Sequence, residues 1–246
     1  MTRLATKTIA VSMLLAAVSH AMAASSQCAA QSGALRAPVV ELYTSEGCSS
    51  CPPADKWLST LKNLDTSAVV QAFHVGYWDY IGWVDRFATP AYTTRQRDIA
   101  AHNGQNGIYT PQAVLDGRDW RNWGRVPAAA EPARARIALR QIGPDQFEAV
   151  VATQDTTPVA WSAYWTVTED SHSSRVKSGE NTGETLQHDF VVRQYVPVGD
   201  YKTQPGAVQT LVLRSIAPVD GHARRVNLVV FDSKTLKPLQ AVTARC

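Results

Sequence analysis

Cysteine is scarce in this sequence: 246 residues hold four, at Cys28, Cys48, Cys51 and Cys246. Cys48 and Cys51 stand at metal-ligand spacing, but no second Cys or His pair accompanies them, which excludes a zinc framework. Excess charge of one sign is lacking as well. The formal net charge is +3, and two of the 24 basic residues, Arg3 and Lys7, fall in a stretch that reads as a removable leader; 21 acidic residues nearly balance the rest. Such a chain offers no electrostatic case for nucleic acid or an anionic membrane surface as partner. Beyond the leader no run is apolar enough to cross a bilayer, and no internal repeat recurs.

The leader itself has the three parts of a secretory signal. A basic start through Lys7 precedes a mostly apolar run over residues 9–18, and Ala21-Met22-Ala23 forms a cleavage pattern. This predicts a signal peptide over residues 1–23, a small polar lead-in over 24–37, and a periplasmic or secreted product. Ser25-Ser26-Gln27 ahead of Cys28 is a poor lipid-attachment signal. In an oxidising compartment disulfides persist. Four cysteines allow three pairings; the simplest joins Cys48 to Cys51 and Cys28 to Cys246, tying the ends of the mature chain together.

The stretch that carries chemistry runs from Glu41 to Asp55. Residues 38–43 read as a short buried strand. Residues 52–64 read as a helix, with Pro52 and Pro53 in its first turn and Trp57, Leu58, Leu61 and Leu64 at helical spacing. Cys48-Ser49-Ser50-Cys51 therefore sits where a strand hands over to a helix. Unpaired N–H groups and the positive end of the helix dipole favour a thiolate there. Cys48 is expected at the helix N-terminus as the solvent-facing nucleophile, with Cys51 one turn in as the resolving thiol. A three-residue disulfide closes too short a loop to add much stability, which favours a redox role over a structural one.

A second buried strand over residues 68–75 completes a β-α-β unit with a parallel pair. The aromatic residues 76–83 read as a loop, residues 91–103 as a helix, and Pro111 as the start of a strand closed by Asp116-Gly117. After a linker near Pro127 and Pro132 the pattern changes to short alternating strands over residues 134–142, 147–152, 159–168, 189–195, 209–216 and 225–231. That spacing predicts a β-sandwich. Residues 179–186 read as a polar loop between strands. The domains expected are 38–130, an α/β thioredoxin-like unit, and 131–246, an all-β sandwich-like unit.

The order of strand, Cys48-Ser49-Ser50-Cys51, helix, strand and Thr110-Pro111 resembles thioredoxin-like oxidoreductases, whose proline is cis and faces the cysteine pair. More closely, the run from Val40 to Asp55, the run from Phe73 to Trp83, Tyr109-Thr110-Pro111-Gln112 and Gly179-Glu180-Asn181-Thr182-Gly183 resemble the secreted bacterial family named domain of unknown function 1223. That resemblance implies a thioredoxin-like fold and no established reaction. The sequence departs from ordinary thioredoxin in having two serines between the cysteines and 63 positions between Cys48 and Pro111. A proton-relaying carboxylate has no clear match. Glu41 lies on the right strand, about one residue out of register.

These readings converge on a thiol–disulfide oxidoreductase of protein substrates, with Cys48 attacking, Cys51 resolving, Pro111 shaping a docking edge, and Tyr109 and Thr110 flanking it. No metal or cofactor is called for, and substrate proteins and a redox partner are implied. Two rivals stand beside it. One is a copper(I)-binding protein using Cys48, Cys51 and His74, since soft thiolates select that ion. The other is a non-catalytic binding module with a structural disulfide.

Overall fold

Alternation along the strands decides the architecture, because each strand has two faces and almost every strand of the interior buries both. The computed structural model describes residues 28–63, 67–155, 157–202 and 206–246. The signal-peptide reading (residues 1–23), the start of the lead-in and Leu64 lie outside them. Among the described residues there are fourteen strands and two α-helices. In chain order these are β1 (Ala29–Gln31), β2 (Val39–Thr44), α1 (Pro52–Thr60), β3 (Val69–His74), α2 (Pro90–His102), β4 (Gln112–Leu115), β5 (Arg118–Asp119), β6 (Ala135–Gly143) and β7 (Gln146–Thr153). They continue with β8 (Ala160–Glu169), β9 (His172–Arg175), β10 (Thr185–His188), β11 (Val191–Lys202), β12 (Val208–Arg214), β13 (Arg224–Asp232) and β14 (Pro238–Arg245).

Eight strands form one mixed sheet in the order β14-β13-β8-β11-β3-β2-β4-β5. The fold class expected from sequence, an α/β thioredoxin-like unit followed by a sandwich, is therefore corrected. The protein is mostly β, and the sheet runs unbroken from strands of the first half into strands of the second. The junction is β11, which starts parallel to β3 at Val191 opposite Ala72 and then runs antiparallel to β8. The Ala72 N–H donates to the Phe190 carbonyl across this seam at 2.8 Å. A local β-α-β signal is real here, since β2 and β3 are parallel. It says nothing of which strand lies beyond β3.

A second sheet, β1-β6-β7-β12, packs on the β8–β13–β14 end of the first. Inward residues of both sheets, among them Ile137, Leu139, Phe147, Trp161, Trp165, Leu211 and Leu228, make the sandwich core. Cys28 and Cys246 are joined by a disulfide with Cα atoms 5.1 Å apart. It fastens the approach to β1 in one sheet to the end of β14 in the other.

At the opposite end, the first sheet is covered by a helix on each face. Val40 and Leu42 of β2 and Val70 and Ala72 of β3 pack against Ala54 and Leu58 of α1. Tyr43 of β2 and Phe73 of β3 face Tyr92 and Ile99 of α2. Glu41 also points to the α2 side, because its parity is that of Tyr43. There it meets Arg95, whose Nη2 and Nε donate to it at 2.5 and 3.1 Å. The hydroxyls of Tyr43 and Tyr164 donate to the same carboxylate at 2.7 and 2.8 Å. Burial and the Glu41 charge hold both phenols well above their ordinary range. Gln71 donates to the Tyr164 oxygen and accepts from Thr166, to which Asn227 in turn donates. This polar seam crosses β2, β3, β8 and β13.

Pro52 and Pro53 open α1, where a missing N–H costs nothing. The helix is shorter than the 52–64 read from its apolar spacing, because Leu61–Asn63 tightens into a 3₁₀ turn. Asp116 and Gly117 both have positive φ in the turn between β4 and β5, the backbone such a tight hairpin requires. A Cβ on Gly117 would stand 2.6 Å from the carbonyl oxygen of Leu236, so only glycine lets the turn pack on the β13–β14 connection. β1, β5, β9, β10 and β14 were not anticipated; all but β14 are two to four residues long.

Candidate functional site

β2 delivers the chain to a tight loop whose backbone is folded on itself. The Cys48 N–H donates to the Ser45 carbonyl, and the Cys51 N–H to the Cys48 carbonyl, each at 3.2 Å. Cys48 and Cys51 form a disulfide with Cα atoms 5.4 Å apart. Cys51 is the N-cap of α1, and its carbonyl accepts from Ala54 and Asp55. Cys48 thus lies three residues before the cap, not at the helix start as the sequence suggests. Pro52 and Pro53 have no N–H, and the next two N–H groups are taken by Cys51, so the helix end offers Cys48 few donors. The donor the structure does place there is the Ser50 hydroxyl, 3.3 Å from the Cys48 sulfur.

Cys48 is 1% exposed and Cys51 0%. The expectation of a solvent-facing Cys48 is thereby corrected, and the cover comes from the second half of the chain. The turn between β9 and β10 lays Asn181 across the loop; its Nδ2 donates to the carbonyls of Glu46 at 2.8 Å and Cys48 at 3.1 Å. Beside it the Glu180 carboxylate accepts the Ser49 N–H at 2.9 Å. Only Ser49 and Ser50 of the motif reach the surface. Residues 179–186 read as a loop from sequence; Thr185 and Leu186 instead open β10, and what that reading lacked was the seat of Asn181 on the cysteine loop.

The Thr110–Pro111 bond is cis. The Thr110 hydroxyl accepts from the indole N–H of Trp78 at 2.8 Å, and Trp78 packs against Gly47, next to Cys48. Tyr109 turns elsewhere: its hydroxyl donates to Asp119 at 2.7 Å and its carbonyl accepts from Gln96. Pro111 precedes Gln112, which pairs with Tyr43 of β2. The structure therefore links Thr110 to the cysteine loop through Trp78, while the Tyr109 side chain is committed to β5.

Around the cysteine loop and the start of α1 lies a buried cluster of titratable groups, Glu46, Asp55, His74, Asp85 and His188, of which the sequence reading singled out only His74. Asp85 accepts from the N–H groups of Glu46 and Phe87, each at 2.9 Å, and pairs with His74 Nδ1 at 2.7 Å. Burial pushes its carboxyl up, but the His74 charge and these hydrogen bonds outweigh it and hold Asp85 below its ordinary range. Glu46 is likewise pushed up by burial and brought below its ordinary range by His188, Ser174 and Trp83, whose indole donates at 2.7 Å. His188 Nε2 stands 3.3 Å from Glu46 Oε1, an ion-pair distance without hydrogen-bond direction, and both its ring nitrogens lack hydrogen-bond partners.

Asp55 behaves differently. Burial raises its carboxyl to about 7, and His188 and the Thr44 hydroxyl, which donates at 3.0 Å, offset that only in part. The sequence signal for Asp55 was an acid in a helix first turn, ordinarily read as dipole compensation. His188 had a signal too, an inward parity in β10 shared with Leu186. Glu41, the relay candidate of the sequence, lies on the other face of the sheet. His74, the copper ligand of the rival reading, spends Nδ1 on Asp85 and packs against Phe87 and His188. Among the described residues no group of three His, Cys, Asp or Glu is arranged to hold a metal ion.

Fold and site together define a mostly-β protein with a Cys-x-x-Cys disulfide whose loop and helix also carry members of a buried acid–histidine cluster. The chain belongs to the family described as protein of unknown function DUF1223, whose model matches residues 39–231. A crystal structure of protein AGR_C_4864 from Agrobacterium tumefaciens is similar at 25% identity and a TM-score of 0.61, over 84% of this chain and 93% of that one. HBP35 of Porphyromonas gingivalis is similar in fold at 12% identity and a TM-score of 0.59, over 86% of this chain and 76% of that one. No curated protein matches the sequence. Two disulfides are at home in an oxidising compartment outside the cytoplasm. No helix among the described residues is long and apolar enough to cross a membrane.

Proposed function

We propose that this protein is a periplasmic or secreted thiol–disulfide exchange protein, with Cys48–Cys51 as its redox pair and thiols or disulfides of other proteins as substrates. The observation that carries this reading is that the loop and helix turn holding the pair also carry Glu46 and Asp55, buried against His188, a titratable cluster that a cross-link has no need of. As a cross-link the pair adds little, about 2 kcal/mol in the chain-entropy account of so short a loop. Cys48 serves as the attacking sulfur, since the Ser50 hydroxyl can donate to its thiolate and the exposed Ser49 and Ser50 lie beside it. Cys51, held at the helix cap, resolves the mixed disulfide. A protein substrate reaches Cys48 once the Asn181 turn is displaced.

A second reading, a structural disulfide in a non-catalytic module, is favoured by the burial of both sulfurs. The reduction potential of the pair decides between them, read from the alkylated Cys48 and Cys51 peptides after equilibration with a thiol buffer. Exchange requires a value above about −300 mV; a structural disulfide lies below it. In the exchange reading, a full-length Cys51→Ser protein also accumulates covalent adducts with proteins of its own compartment, and Cys48→Ser accumulates none.

A further inference from the structure

Reducing a buried disulfide brings a charge into a place without water, and a nearby proton must meet it. Cys51 has helical backbone angles although it is the cap, so Asp55 sits four residues on along the same helical face. Side chains at that spacing are neighbours, about 5–6 Å apart at Cβ, and a helical side chain leans toward the N-terminus. The Asp55 carboxyl therefore leans toward Cys51. Across from it stands His188, with Nδ1 3.9 Å from Asp55 Oδ2 and neither nitrogen hydrogen-bonded. Both residues line a polar cleft of about 350 Å³ between α1 and the β9–β10 turn, with Lys56, Glu180 and Asn181 at its walls. The cleft brings solvent to Asp55 and His188.

We propose that Asp55 and His188 form the proton route of the Cys48–Cys51 pair, with Asp55 holding the proton that Cys51 receives and His188 replacing it from the cleft. This rests on the exchange reading above. A thiolate of a substrate dithiol attacks the Cys48 sulfur, the Cys48–Cys51 bond breaks, and its electron pair moves onto Cys51, which takes the Asp55 proton. The second substrate thiolate attacks the first substrate sulfur and displaces Cys48, which takes a proton from solvent; the two protons that the substrate thiols release to solvent balance those gained by Cys51 and Cys48. The substrate leaves as a disulfide and the protein as a dithiol. In the opposite direction Asp55 accepts the proton.

The groups that face Asp55 are Thr44 from β2, Glu46 from the loop, Asp85 and His188; His74 stands behind Asp85 and against His188. None sits closer in sequence to Cys51 on its helical face, and Asp55 alone of the carboxylates here is half protonated near neutrality, at about 7.

The test is reduction of the full-length protein by dithiothreitol from roughly pH 5 to pH 9, quenched by alkylation, with Cys48 and Cys51 counted by mass spectrometry. Rates are divided by the dithiothreitol thiolate concentration. The wild-type rate is expected to be constant in acid and to fall as pH rises through about 7. Asp55→Asn is expected to flatten the profile and to be slower by about 10²-fold in acid. His188→Gln removes a neighbour that lowers the Asp55 pKa, so its inflection is expected at higher pH. A wild-type profile without inflection, or an inflection unchanged by Asp55→Asn or His188→Gln, overturns the proton route while exchange stands. A Cys48–Cys51 bond that dithiothreitol cannot reduce in the folded protein removes the exchange reading and the route with it.

Discussion

Asn181 donates both of its amide hydrogens downward, to the carbonyls of Glu46 and Cys48 at 2.8 and 3.1 Å. A residue of the second half of the chain thus closes the cysteine loop of the first. Removing it with Asn181→Ala is expected to cost about 1–3 kcal/mol, since the buried Glu46 carbonyl loses its donor and the Cys48 carbonyl keeps only the Cys51 N–H. Alkylation of Cys48 in the reduced protein is expected to quicken. Denaturant melts and timed alkylation measure the two effects; unchanged Cys48 reactivity would show that the turn is not the cover.

Arg95 is the counter-charge of a buried Glu41. Arg95→Met leaves that carboxylate, and two tyrosine hydroxyls aimed at it, without a cation, and is expected to destabilise by about 3–5 kcal/mol. Adding Glu41→Gln should recover part of the loss. Urea denaturation of the two proteins checks this, and equal stabilities of single and double variants would contradict it.

The Cys28–Cys246 disulfide spans a sequence separation of 218 residues. Its removal by a double replacement with serine is expected to lower stability by up to about 5 kcal/mol in the chain-entropy account, with loss first at the joined ends of β1 and β14. Equilibrium unfolding gives the total, and hydrogen exchange of the two strands gives the location. Exchange at Cys48–Cys51 should be unaffected.

Stability should fall on going from mildly acidic to neutral pH. Asp55 has an ordinary value of 3.8 and a folded value of about 7, so between them the folded state binds more protons than the unfolded one. Stability therefore declines as pH rises across that window, and the penalty is complete above it. At ~1.4 kcal/mol per unit the ceiling is about 4 kcal/mol, which Asp55→Asn removes. Glu46 and Asp85 run the other way. Held below their ordinary values of 4.5 and 3.8, they contribute stability above those values and lose it as pH falls. Urea midpoints at about pH 5 and about pH 8 for wild type and Asp55→Asn should diverge, and parallel curves would refute the assignment.

What the sequence by itself determined was local. Prolines at the start of α1, apolar residues at helical spacing, the Asp116-Gly117 turn and the period-two runs of β6, β7, β8, β12 and β13 each act over a few neighbouring residues, and the elements form where those signals lie. Cys48-Ser49-Ser50-Cys51 marked its disulfide for the same reason, because two cysteines three positions apart can pair within one turn of chain. The tertiary structure alone decided what surrounds it. Whether β3 ends a sheet or is followed by β11 depends on backbone hydrogen bonds between residues more than a hundred positions apart, which leave no pattern in either strand. The α1 face that brings Asp55 to His188, the parity that sends Glu41 to Arg95 instead, and the seating of Asn181 on Cys48 are likewise products of packing. Side-chain direction follows from local geometry, but what a side chain meets follows from which distant surface is buried against it.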